Sequence, residues 1–115
     1  MKLPRPARLR RRREYLQVQQ RGSRLFAGEV LVLALPATGS RPRIGITVSS
    51  KIANAVGRNQ VKRWVREAFR SVQGELPPVD LVVIARSGAP AMGLAGARRA
   101  LEAARAKLAA REGRP

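Results

Sequence analysis

A chain of 115 residues is long enough for one domain with a packed core and too short for two. Hydrophobic residues make up 44%, which implies a folded protein, while 24 Lys and Arg against 7 Asp and Glu leave a net charge of +17, which points to a polyanionic partner. Cys and His are absent, which excludes disulfides and thiolate metal sites and removes the commonest general base, and no apolar run reaches the ~18 residues of a membrane span.

The basic residues are 20 Arg and 4 Lys. Guanidinium forks onto phosphate and stacks on bases, so the bias suits nucleic acid, although a GC-rich genome or a hot habitat would produce it too. Residues 1–6 are basic and interrupted by Pro, and are expected to be mobile. They do not read as a secretory signal, because no apolar stretch follows the charges, and a cytoplasmic protein is the simplest reading.

"ARLRRRREYLQVQQRG", residues 7–22, reads as a helix, with Leu9, Arg13 and Leu16 on one stripe, Tyr15 and Val18 on another, and Gly22 as its stop. Arg24 to Pro36 reads as a strand region, broken or bulged at Ala27-Gly28. Arg43 to Ser50 reads as a second strand, with Ile44, Ile46 and Val48 alternating onto one face. Asn54 is placed to cap a turn that leads into a helix expected over Arg58 to Gln73, ahead of Gly74, Pro77 and Pro78. Val79 to Arg86 is almost continuously apolar, as a strand buried on both faces would be. A last helix carries Leu94, Ala97, Leu101, Ala104 and Leu108 on one stripe. A helix between two strand patterns implies a βαβ crossover, and hence one α+β domain over residues 1–115 with helices on a mixed sheet.

The helix after Asn54 carries the strongest functional signal. At 100° per residue, with Val61 at zero, Val65, Ala68, Phe69 and Val72 fall with it between about −20° and 80°. Asn59, Lys62, Arg63, Arg66 and Arg70 fall between about 100° and 200°. Trp64 lies beside the apolar arc and is expected to pack. A charged helix face is often only a solvated surface, but such faces mix signs at i,i+4. Here Lys62, Arg66 and Arg70 repel at every such step, and only Glu67, pairing back to Arg63, relieves it. Binding phosphate would reverse that repulsion, and Arg58 and Asn59 stand at the helix N-terminus, where anions are favoured.

"IGITVSSKIANAVGRNQVKRWVREAFR", residues 44–70, resembles the signature of the protein subunit of bacterial ribonuclease P. The basic first helix with Tyr15, the Gly at its end and "DLVVIAR" before the last helix agree in position. The resemblance implies an α-β sandwich with a mixed four-stranded sheet, a left-handed βαβ crossover, and the fold type shared with a ribosomal-protein domain. It implies an RNA-binding subunit that assists endonucleolytic removal of the 5′ leader from precursor tRNA. The ribonuclease P RNA does the chemistry with magnesium; no catalytic residue, metal site or tightly bound cofactor is expected in the protein itself. One protein bound to one RNA is expected.

Carried over by position, the resemblance assigns Ser49, Lys51, Asn54, Arg58, Asn59, Lys62, Arg63, Arg66 and Arg70 to the catalytic RNA. It assigns Arg11, Arg12, Tyr15, Gln19, Leu33 and Val48 to a leader cleft between the first helix and the sheet, with Tyr15 stacking on an unpaired base. Several positions depart from the pattern: Ser50 for the first of a Lys pair, Ala53 for Gly, Gln60 for a basic residue, and Gln19 and Leu33 where aromatics are common. A ribosomal or other structured-RNA-binding protein is the alternative reading. A protein-only nuclease lacks clustered acids, with Asp80 and Glu67 read as structural, and a membrane-active helix is disfavoured by the separate core-facing arc.

Overall fold

The computed structural model describes residues 5–37 and 39–112. Residues 1–4 of the expected mobile segment, and Thr38 in the turn before the second predicted strand, lie outside them.

The region expected to be broken at Ala27-Gly28 is a hairpin: β1 (Ser23–Ala27) pairs antiparallel with β2 (Val30–Pro36) in the register Ala27 to Val30. Gly28 takes φ 57°, the left-handed value that a two-residue turn with Gly first requires. β3 (Arg43–Thr47) follows, and then, after a helix, β4 (Val79–Ala85). β4 runs antiparallel to β2 and parallel to β3, giving the order β1-β2-β4-β3. The apolar run at Val79 to Ala85 thus occupies an interior strand, and its residues 81–83 are fully buried. β3 ends at Thr47, short of the predicted Ser50, because Ile52 N–H turns back onto the Ser49 carbonyl at 3.0 Å.

α2 (Ala55–Val72) connects the two parallel strands and packs on one face of the sheet with α3 (Gly93–Glu112). Its buried residues are Val61, Val65, Ala68, Phe69 and Val72, the same five that helical periodicity placed on the apolar arc. Trp64 packs at the edge of this core, and Ala97, Leu101, Ala104 and Leu108 of α3 are buried in it. The other face is covered by α1 (Arg12–Arg21), with Val18 buried against Leu33, Val82 and Leu9.

α1 starts five residues after the predicted Ala7, and the reason is not local. Leu9 N–H donates to the Ile44 carbonyl at 2.9 Å and Arg8 bridges Ile44, so this stretch pairs with the open edge of β3. Its backbone groups are satisfied by the sheet, and a helix there would forfeit those bonds. The predicted Leu9–Arg13–Leu16 stripe does not form: Leu9 is buried outside the helix, and Leu16 is exposed on it. Glu14 fixes the new start, accepting from the amides of Arg11 at 3.0 Å and Arg10 at 3.1 Å.

Glu14 also binds Arg43 Nη1 at 2.7 Å, and Arg43 grips Asp80 with Nε and Nη2, both at 2.9 Å. One guanidinium therefore ties the first turn of α1 to both parallel strands. Burial alone would raise the Glu14 carboxyl, but the two backbone bonds and Arg43 outweigh it and hold the carboxyl down at about 2, from 4.5. A depressed carboxyl stabilises fully above its unfolded value and loses that contribution as pH falls through its folded value.

Glu14→Gln should therefore cost about 1–2 kcal/mol at neutral pH, a figure discounted for the 22% exposure of the side chain. The gap from the unmodified protein, read in denaturant unfolding, should close between pH 4.5 and about 2. A gap that persists unchanged to pH 2 would mean that Glu14 is not the linked group.

Candidate RNA interface

The loop before α2 is held by its own side chains. Ser49 Oγ accepts from Lys51 N–H at 3.1 Å, and Asn54 Oδ1 caps the helix by accepting from Gly57 N–H at 2.9 Å. Arg58 turns back and donates Nη1 to the Ala53 carbonyl at 2.9 Å. Ser49, Asn54 and Arg58 thus shape the loop, whatever else they meet. Lys51 and Asn59 are exposed, and Val56 on the first turn is 77% exposed, an apolar side chain that the charge pattern did not single out.

Along the helix, Lys62 and Arg66 are half-buried and Arg63 is exposed; none of the three has an ion-pair partner among the described residues. The expected Glu67–Arg63 pair does not form. Arg70 is half-buried at the last turn. The apolar arc pins the opposite side of α2 in the core, so these cations are presented in one direction.

The Tyr15 ring packs against β3 at Gly45. A Cβ built on Gly45 would come within 2.5 Å of the Tyr15 ring, so only Gly lets the ring sit there. Its hydroxyl leans on the Leu9 carbonyl at 3.4 Å. Tyr15, Gly45, Arg8, Lys62 and Arg66 line one cavity of about 110 Å³. The ring assigned to the leader and two cations assigned to the catalytic RNA thus share a wall. Arg8 Nε is buried there without a hydrogen-bond partner among the described residues. No local pattern singles out Arg8, whose place depends on its pairing with β3.

The remaining leader assignments separate. With Val18 facing the sheet, Tyr15, Gln19 and Arg12 fall on one flank of α1, at about 60° to 120°, and Glu14 and Arg21 on the other. Gln19 and Arg12 are exposed there, and Arg11 borders the cavity around Glu14 and Arg43 on the far flank. Leu33 is on the α1 face but only 4% exposed beneath Val18. Val48 is corrected: it packs into the core with α2 and α3, on the opposite face, and cannot line a cleft under α1. Beside the Tyr15 flank, the sheet instead presents the row Phe26, Leu31, Ile84 and Thr47, which register sets side by side.

Among the described residues no three His, Cys, Asp or Glu side chains gather as a metal site, and no helix is long and apolar enough to cross a membrane. Residues 3–109 match the family model described as Ribonuclease P. The Ribonuclease P protein component of Citrifermentans bemidjiense is 41% identical over 75% of this chain and 74% of its own. The RNase P protein of Thermotoga maritima superposes with a TM-score of 0.74 at 35% identity, covering 83% of this chain and 91% of that one. The RNase P protein of Staphylococcus aureus gives a TM-score of 0.78 at 26% identity, covering 93% and 95%.

Gly45→Ala should cost about 1–3 kcal/mol by driving the Tyr15 ring off β3. In a Tyr15→Ala background the same change should cost far less. A double-mutant cycle in urea measures the coupling, and a cost unaltered by the loss of Tyr15 would remove the contact from the account.

Proposed function

The chain belongs to the Ribonuclease P protein family, and from that premise we propose how its surfaces divide the work of the ribonucleoprotein. As a protein component of this endoribonuclease, it serves tRNA processing in association with ribonuclease P RNA. Family membership sets aside the ribosomal alternative.

The observation that carries the reading is the row of Lys62, Arg63 and Arg66 on one rigid face without acidic partners among the described residues. RNA phosphates would replace the mutual repulsion by attraction and release counterions. We assign this face, with Lys51, Asn59 and Arg70, to the catalytic RNA. Ser49, Asn54 and Arg58 serve it by holding the loop. The 5′ leader of precursor tRNA lies in the groove between the Tyr15 flank of α1 and the open part of the sheet, where a ring can stack on an unpaired base irrespective of its identity.

Magnesium belongs to the RNA in this reading. The acids Glu14 and Asp80 are engaged by Arg43, and Glu75 and Glu102 by Arg105, which leaves them poor ligands for a second cation. The protein contributes binding and orientation. One copy per RNA, in the cytoplasm, completes the proposal.

Mixed with a bacterial ribonuclease P RNA and precursor tRNA at low magnesium, the protein should accelerate leader removal over RNA alone. No acceleration would sink the proposal. Lys62→Ala should weaken binding to that RNA and flatten log K against log salt by about one unit for one lost phosphate contact. An unchanged slope would take Lys62 off the phosphate. Tyr15→Ala should cost roughly 1–3 kcal/mol of affinity for precursor tRNA and leave mature tRNA unaffected; equal losses for both would place Tyr15 outside the leader groove.

A further inference from the structure

Phe26 stands out on the face that α1 leaves open. It is 59% exposed on an edge strand, a position where an aromatic side chain gains little from folding and invites aggregation. Arg86 sits over its ring, with the guanidinium carbon 5.7 Å from the centroid, within cation–π range. β1 is steadied there by Lys107, whose Nζ donates to the Phe26 carbonyl at 2.9 Å. The feature is therefore a ring and a guanidinium held together on an ordered strand and facing outward.

Register shows what this pair adjoins. Phe26 is level with Leu31, Leu31 with Ile84, and Ile84 with Thr47, so an apolar strip crosses the sheet to β3 and reaches the neighbourhood of Tyr15. Three strand spacings put Phe26 about 14 Å across from β3. Arg24, two residues earlier on β1 and on the same face, is exposed as well. Aromatic floor, guanidinium plane and basic rim are what an unpaired base with its phosphate needs, since bases stack on rings and on Arg planes alike. An acidic peptide would meet the charge but not use the flat surfaces.

We propose that Phe26 and Arg86 form a second base-stacking platform for the leader, at the end of the groove away from Tyr15. The proposal rests on the leader reading above. It accounts for a deficit in α1, where Gln19 carries no ring, and in β2, where Leu33 is buried beneath Val18. The stacking surface lies on the opposite wall of the same groove.

The test uses the reconstituted holoenzyme, with precursor and mature tRNA binding measured for the unmodified protein, Phe26→Ala, Phe26→Leu and Phe26→Tyr. The ring is largely exposed, so all should melt alike by circular dichroism. Phe26→Ala should lower precursor affinity about ten-fold and leave mature tRNA affinity unchanged. Phe26→Tyr should restore it and Phe26→Leu should not. Shortening the leader one nucleotide at a time should bring Phe26→Ala and the unmodified protein together once the platform's base is gone. The inference is overturned if Phe26→Ala keeps the full preference for precursor, if Leu rescues as well as Tyr, or if the variant changes only self-association in sedimentation. An unmodified protein with no preference for precursor would instead overturn the leader reading itself, and this inference with it.

Discussion

The buried arc of α2 is the constraint on which the arrangement depends. Val61, Val65, Ala68, Phe69 and Val72 lock one side of the helix between the sheet and α3, with Phe69 fully buried. A helix pinned by five core contacts cannot roll, and so the cations on its other side keep one bearing. Electrostatics alone could not impose this. Lys62 and Arg66 stand at i,i+4 with no acidic partner among the described residues, and their repulsion opposes the helix they stand on. Hydrophobic burial on one side holds a charge array that is unfavourable until an anion arrives.

The few acids are distributed to the same end. Of seven, Glu14 and Asp80 meet at Arg43, and Glu75 and Glu102 meet at Arg105. The Arg43 cluster is partly buried and sits where α1 must be attached to the parallel strands, so its geometry matters more than that of an exposed pair. Neither cluster involves Lys62, Arg63 or Arg66 of α2. Four of the acids in a chain of net charge +17 are thus spent at structural joints.

The two faces of the sheet have different tasks. One is sealed by α2 and α3. The other is covered by a single short helix, which leaves the Phe26–Thr47 row open beside it. Because Tyr15 shares a cavity with Lys62 and Arg66 across the edge of β3, the groove and the basic face form a continuous surface.

Much of this was legible in the sequence, and the exceptions have a common cause. The α2 arc, the Asn54 cap, the interior strand at Val79 to Ala85 and the apolar stripe of α3 are statements about period and local hydrogen bonding, which neighbouring residues determine. The start of α1 at Arg12 was not legible, because Arg8 and Leu9 are claimed by the edge of β3, far along the chain. Nor was it legible that Val48 faces the core while Phe26 faces the groove. Alternation along a strand says which residues share a side, but which side α1 covers is set by packing between layers. Local pattern was enough for the type and order of most elements, the charge and the family resemblance. Tertiary structure alone decided which side chains meet, because a meeting across strands and layers depends on contacts that no local period encodes.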